Sequence, residues 1–358
     1  GKLVKSVRDP QGVPKHKYLA LVGGYRTAGR FEQFTATDAA GKVVIEDDFE
    51  DTKESRKKWG GFLPQVPFME AGIHVYTADV GDLWHNWKGP GKFDWSDVGR
   101  FLDSMVEEDP DALLIPRFFL RIPDWWVKSY PSDVMLTLDG NEKSPRRLTI
   151  DSVNWPSYSS QTWRQQACEA IADFVKYLRN HPQGWRVVGL NVCAGHAKEW
   201  VYGFVGGYCD YSPVQIAGFR KWLTKRYGND QNLKRAWSDD KASLQAATIP
   251  TPDELTKVRY FDLYDPKTSQ RIIDYNEYHC AVVSDTLLQF TKAVKDYTQG
   301  RMFTMAFFGY MMSDGGNFRT STGAQADYLR VLNSPHLDAV GSPHSYTHRY
   351  AGGSTITF

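Results

Sequence analysis

Val187-Val188-Gly189-Leu190-Asn191-Val192 is a short apolar run interrupted by one glycine and one asparagine. A strand with one wet face alternates polar and apolar residues, whereas a strand covered on both faces does not. The run therefore predicts a central strand of a parallel sheet. Upstream, Trp163, Ala167, Ile171, Phe174 and Leu178 recur at helical spacing, and His181-Pro182 supplies a stop. Downstream, Phe219, Trp222, Leu223 and Arg226-Tyr227 form another helical stripe that ends at Gly228, a helix-terminating glycine.

The same alternation extends along the chain. Further strand-like runs lie at residues 18–22, 73–76, 112–115, 302–308 and 337–340, six in all with 187–192. Helical stripes separate them: Val98, Phe101, Leu102, Met105 and Val106; a long one from Ile272 through His279 and Phe290 to Val294, ending near Gly300; and Tyr328, Leu329 and Leu332. Strands alternating with helices predict βα units on a parallel sheet. No GxGxxG follows the first run and no GxxxxGK[ST] occurs, which removes the main support for a nucleotide-binding open sheet. The fold class is read as α/β, a TIM (β/α)8 barrel, incomplete as counted, with about six of eight strands legible. Residues 1–17 read as a lead-in and 18–358 as the barrel. Its charged stretch at about 35–62, which holds Asp47, Asp48, Glu50 and Asp51, reads as a surface excursion.

Composition narrows the function. The 358 residues carry 43 Lys+Arg against 42 Asp+Glu, a net charge of +1, which argues against a basic nucleic-acid binder. Hydrophobic content of 41% is that of a globular chain, and no apolar run approaches the roughly 20 residues of a membrane span. No signal-peptide pattern follows Lys2 and Lys5. The four cysteines form no CxxC pair, and Cys168 and Cys280 lie in helical patterns, so free thiols are expected and no zinc signature is read. His74, His85, His196, His344 and His348 show no HxH or HxxxH spacing, so neither a metal nor another cofactor is expected.

In such a barrel the chemistry sits past the C-terminal ends of the strands. Those positions hold Asp79, Trp84, His85 and Trp87; then Arg117, Arg121, Asp124, Trp125 and Trp126; then His196, Lys198, Glu199 and Trp200; then Tyr310, Asp314 and Asn317; and last His344, Tyr346 and His348. Turns need turn formers, not repeated Trp and His, and an uncovered indole costs solubility. Aromatic rings stack on pyranose C–H faces while Arg, His, Asn and Asp bind hydroxyls. An oligosaccharide or polysaccharide is the ligand this pattern fits, with Asp79, Trp84, Arg117, Trp125, Trp126, His196, Trp200, Tyr310, His344 and Tyr346 as its candidate contacts. Glycosidic cleavage also needs two carboxyl groups. Glu199, flanked by His196 and Trp200, is the candidate general acid, because a carboxyl beside Trp in a partly dry cleft keeps its proton.

A family resemblance rests on three stretches. Met69-Glu70-Ala71-Gly72-Ile73-His74-Val75 with Phe93-Asp94-Trp95 resembles the "M-x-x-A-G-I-N-V … Y-D-F" opening of the glycoside hydrolase family 42 catalytic barrel. Leu114-Ile115-Pro116-Arg117 with Ile122-Pro123-Asp124-Trp125-Trp126 is similar to the third strand and "P-x-W" loop of that family. Phe219-Arg220-Lys221-Trp222-Leu223-Thr224-Lys225-Arg226-Tyr227-Gly228, then Leu233 and Ala236-Trp237, resembles "F-R-x-W-L-x-x-R-Y-G…L-N-x-A-W-G". The resemblance implies a clan-A barrel with a retaining, β-galactosidase-like mechanism and Glu199 as acid/base. The family ends its fourth strand in Asn-Glu, whereas Lys198 precedes Glu199 here, and Tyr202-Gly203 fits a divergent "E-W-x-Y" version of the loop. That departure bears on which sugar is bound.

The family nucleophile is a Glu at the seventh strand, and no Glu follows Glu277, so the nucleophile is expected beyond Phe358. Two rival readings stay open at this point: an inverting hydrolase that pairs Glu199 with Asp314 or Asp79, and a non-catalytic carbohydrate-binding barrel. No nucleic-acid or membrane partner is expected, and a homo-oligomer is left open. Compartment is left open as well, with a secreted or periplasmic setting favoured because enzymes of this kind act on external polysaccharides.

Overall fold

The computed structural model describes residues 34–37, 40–47, 68–69, 71–138, 142–150, 153–202, 208–256, 264–309 and 323–341. The chain divides into two compact units, residues 1–73 and 74–358. In the first, Phe34–Thr37 and Val43–Asp47 pair as an antiparallel ribbon within the charged excursion. The run at 18–22 and the expected boundary after residue 17 lie outside the described residues.

The second unit is built on parallel strands: β1 (Val75–Tyr76), β2 (Leu113–Leu114), β3 (Arg117–Phe119), β4 (Gly189–Cys193), β5 (Phe303–Phe307) and β6 (Ala339–Gly341). Register is continuous across them. Val75 pairs with Leu113, Asn191 with Arg117, Asn191 also with Met305, and Met305 with Ala339. Spatial order thus follows chain order, as in a (β/α) barrel. Each of the five runs read from the sequence within the described residues holds a strand.

One difference concerns Pro116. The sequence reading ends the strand there, but β2 and β3 are one strand that continues to Phe119. Proline has no N–H to give the ladder. The flanking residues keep the ladder on both sides: Ile115 N donates to Tyr76 O, Arg117 N to Ala78 O, and Asn191 N to Pro116 O. Arg117 therefore stands inside the strand and not in the loop beyond it.

Helices join successive strands: α1 (Ser96–Glu108), α2 (Asp124–Ser129), α3 (Gln161–Asn180), α4 (Pro213–Tyr227), α5 (Asp230–Trp237), α6 (Pro266–Thr298) and α7 (Tyr328–Leu332). The Ser160 hydroxyl caps α3 by accepting from Trp163 N at 2.9 Å. Its apolar stripe is wholly buried at Trp163, Ala167, Ile171 and Phe174. Ser212 caps α4 with Pro213 in its first turn, and Gly228 ends it at φ +77°. Strands and helices meet through rings: Phe118 on β3 lies 4.7 Å from Phe174, and Trp163 lies 5.1 Å from Phe290 on α6. Cys168 is half-buried on α3 and Cys280 buried on α6, both free thiols as expected. No described helix is long and apolar enough to cross a membrane.

Between β4 and α4 the chain adds Tyr208–Cys209 to Leu136–Leu138, which pairs in turn with Arg146–Arg147. Asp210, fully buried beside this ribbon, accepts from Leu136 N at 3.0 Å and from Ser212 N at 2.8 Å. Burial pushes its carboxyl up from 3.8 to about 6, against the bonds it accepts. The folded chain thus holds this proton more tightly than the unfolded one, so Asp210 favours folding most below pH 3.8 and loses that contribution as pH rises through about 6. We expect the stability difference between wild type and Asp210→Asn to shrink by about 3 kcal/mol from pH 3.5 to pH 7, measured by urea unfolding at each pH.

Candidate functional site

Parallel register sets the site. Side chains alternate along a strand, so Arg117 and Phe119 on β3 share a face with Asn191 and Cys193 on β4, their register partners. Asp79 follows β1. Its carboxylate forms an ion pair with Arg117, Nε lying 3.0 Å from one oxygen, and accepts a hydrogen bond from Lys198 Nζ at 2.8 Å on the other. Beside this trio Arg121 pairs with Asp82, and its guanidinium stands 4.9 Å from the Trp84 ring and 4.8 Å from the Phe119 ring. The Lys198 ammonium lies 5.6 Å from the same Phe119 ring. Lys198, Arg117, Asp79 and Glu199 all act electrostatically on the buried Cys193 thiol, which burial itself pushes up.

Glu199 stands in a tight loop after β4. The backbone is left-handed at Gly195 (φ +75°), Ala197 (+53°), Lys198 (+71°) and Trp200 (+59°). Only the first is a glycine, and there it is required: a Cβ would sit 2.4 Å from Val201 O and 2.5 Å from the Tyr158 hydroxyl. Inside the loop Trp200 N donates to Ala194 O at 2.8 Å, Glu199 N to His196 O at 3.1 Å and His196 N to Val201 O at 3.1 Å. Gln325 holds it from outside, donating to Glu199 O at 2.5 Å while accepting from Gly309 N, just past β5, at 2.7 Å. Glu199 and His196 are half-buried.

The expected sugar contacts divide. Asp79, Trp84, Arg117 and His196 all lie at the C-terminal side of the strands, Asp79 exposed and the others half-buried. Trp125 is half-buried on α2, its indole N–H given to Trp87 O at 2.9 Å. Two expectations are corrected. Trp126 is fully buried, its N–H on Gln166 Oε1 at 2.7 Å, because neighbouring residues on a helix point about 100° apart and Trp125 takes the outer side. Trp200 is fully buried as well, donating to Val192 O at 2.8 Å and packing by Tyr158 and Phe290. Both are core residues and not sugar platforms. Tyr310, Asp314, His344 and Tyr346 lie outside the described residues.

Asp82, Phe119 and Gln325 were not singled out from the sequence as site residues. Asp82 carried a signal as the carboxylate beside Trp84, whereas Gln325 had none. At the opposite end of the strands, His74, Asp109 and Asp111 bring donor atoms within 4.8 Å of one another, the one such group among the described residues. Their own bonds account for it: His74 Nδ1 to Asp109 at 2.8 Å, the Tyr76 hydroxyl to Asp109 at 2.8 Å, and Asp111 N to Asp109 at 3.0 Å.

The loop's geometry carries a stability expectation. Trp200→Ala should cost about 3–5 kcal/mol in urea unfolding, as large-to-small core changes do. Gly195→Ala should speed amide exchange at His196 and Trp200, whose loop bonds its Cβ would displace.

Comparison with known proteins follows this geometry. The family model of the β-galactosidases of glycoside hydrolase family 42 matches residues 75–340. The β-galactosidase BgaP of Planococcus sp. (strain L4) is 24% identical over 291 residues, 78% of this chain and 38% of its own length. The chain thus spans under two fifths of that relative. The β-galactosidase of Bacillus circulans sp. alkalophilus superposes with a TM-score of 0.55 at 19% identity, over 79% of this chain and 37% of that one. The catalytic domain of a β-amylase from Paenibacillus polymyxa superposes with a TM-score of 0.60 at 16% identity, over 81% and 74%. These structural likenesses establish the barrel fold. The family match runs from β1 into β6, and the chain belongs to the β-galactosidase family, glycoside hydrolase family 42.

Proposed function

We propose that the chain forms the acid/base side of a retaining glycosidase that cleaves β-linked, galactoside-like sugars. One observation carries the reading: a strained, anchored loop past β4 holds Glu199 next to Lys198, whose ammonium pairs with the Asp79 carboxylate that also meets Arg117, at the end of the strands where barrels keep their chemistry. Glu199, as a carboxylic acid, protonates the leaving glycosidic oxygen. As a carboxylate it then takes a proton from the water that releases the sugar. Trp84 and Trp125 offer ring faces to the pyranose, and His196 and Arg117 offer donors to its hydroxyls. The second carboxylate, needed about 5 Å from the first for retention, is assigned to a glutamate beyond Phe358, since no Glu follows Glu277.

In the active enzyme, Glu199→Gln is expected to lower turnover of unactivated β-galactosides by roughly 10²–10⁴-fold, the usual scale of acid–base catalysis. Aryl galactosides with good leaving groups should lose less in the first step, and azide should restore part of the turnover by attacking the glycosyl-enzyme directly, since an anionic nucleophile needs no base and releases the enzyme carboxylate as the glycosyl azide forms. Equal losses on both substrates without azide rescue would make Glu199 structural.

Residues 1–358 alone are expected to bind β-galactosides without hydrolysing them. Assay beside a form extended past Phe358 tests this. Comparable turnover by the short form would place the second carboxylate within the sequence, with Asp79 and Asp314 the residues to mutate.

A further inference from the structure

We infer that Gln325 is a positioning residue for proton transfer at Glu199: its side-chain amide fixes the backbone from which that carboxyl extends. The inference rests on the glycosidase reading of Glu199.

Backbone anchoring is the first ground. A carboxyl at the end of a flexible side chain is placed no better than its own Cα, and proton transfer needs the carboxyl within hydrogen-bond reach of the reacting oxygen. Glu199 is held from two sides. Inside the loop its N–H donates to His196 O at 3.1 Å. From outside, its carbonyl accepts from Gln325 Nε2 at 2.5 Å. The loop's other backbone bonds end on Ala194 O, Gly195 O and Val201 O, all within the same turn. The bond to Glu199 O comes instead from a segment that follows a different strand.

The setting of Gln325 is the second ground. The residue is buried, and a buried amide is costly unless its ends are bonded. Here both ends are used, Nε2 on Glu199 O and Oε1 on Gly309 N at 2.7 Å. The partners fix which way the amide points, since a backbone N–H can meet only its oxygen and a carbonyl only its nitrogen. Gly309 follows β5, the register neighbour of β4. Ala324, beside Gln325, is fully buried, so the amide extends from a packed base. One side chain thus ties the backbone of Glu199 to the end of the next strand. An apolar residue of similar size would fill the same space. What the amide adds is a directed bond, and it falls on the candidate acid.

The experiment compares variants of the enzyme extended past Phe358. Gln325→Met keeps the side chain's length and removes both bonds. Turnover of unactivated β-galactosides should fall by roughly 10²-fold, the cost of a group about 1 Å out of place, with KM nearly unchanged. Aryl galactosides with good leaving groups, which need little protonation, should keep most of their first-step rate. In a Glu199→Gln background, Gln325→Met should cost nothing further, because a residue that acts through Glu199 has no effect once its carboxyl is gone. Gln325→Asn is one methylene too short to span both partners and should show the same selective loss in smaller degree, which tests the idea even where Gln325→Met misfolds. Unchanged turnover, equal losses on both substrate types, or a further loss in the double variant overturns the proposal. The glycosidase reading then still stands, provided that Glu199→Gln alone spares the aryl substrates. If Glu199→Gln spares neither type, both fall.

Discussion

The site depends on the burial of Trp200. Three non-glycine residues of its loop hold left-handed backbone, at about 1–2 kcal/mol each. An indole that buries about 150–250 Å² returns about 4–6 kcal/mol at 25 cal/mol per Å². The two quantities are of one size, so the ring and its bond to Val192 O are what keep the loop from relaxing. Glu199 is displayed because the residue after it is sunk into the barrel wall.

Everything else at the site is placed by strand register. Asn191 opposite Arg117 and Cys193 opposite Phe119 give the site its inner wall, while Asp79 comes in from the neighbouring strand end. Pro116 leaves this register intact because Ile115 N and Arg117 N keep their bonds to one neighbouring strand and Pro116 O still accepts from Asn191 N of the other. The charges at the mouth then follow from backbone geometry, since Asp79 meets Arg117 across a parallel pair and Lys198 from a loop fixed by Trp200.

The strands were legible because parallel strands are covered on both faces, so β4 and β5 appear as plain apolar runs. Helix ends were legible where a side chain or glycine marks them, as at His181 and Gly228. Orientation was not. Trp125 and Trp126 are neighbours of one type, and only the packing of α2 decides which faces in. Trp200 beside a candidate acid looked like a sugar platform, yet its ring serves the loop. The ribbon of Leu136–Leu138 with Tyr208–Cys209 went unread because its two strands lie about seventy residues apart and have no shared local pattern. Position past a strand end singled out Glu199 as a candidate, but nothing local pointed to Gln325, which reaches it from beyond β5.

The bonds among His74, Tyr76 and Asp109 lie at the far end of the strands from Glu199. Burial opposes ionisation of Asp109, and the bonds from His74, Tyr76 and the Asp111 amide outweigh it and hold the carboxyl below its usual range. This cluster ties the starts of β1 and β2 together without touching the candidate site residues. A substitution at His74 or Asp109 can therefore change stability from one rim of the strands while leaving every bond of the Glu199 loop at the other rim in place.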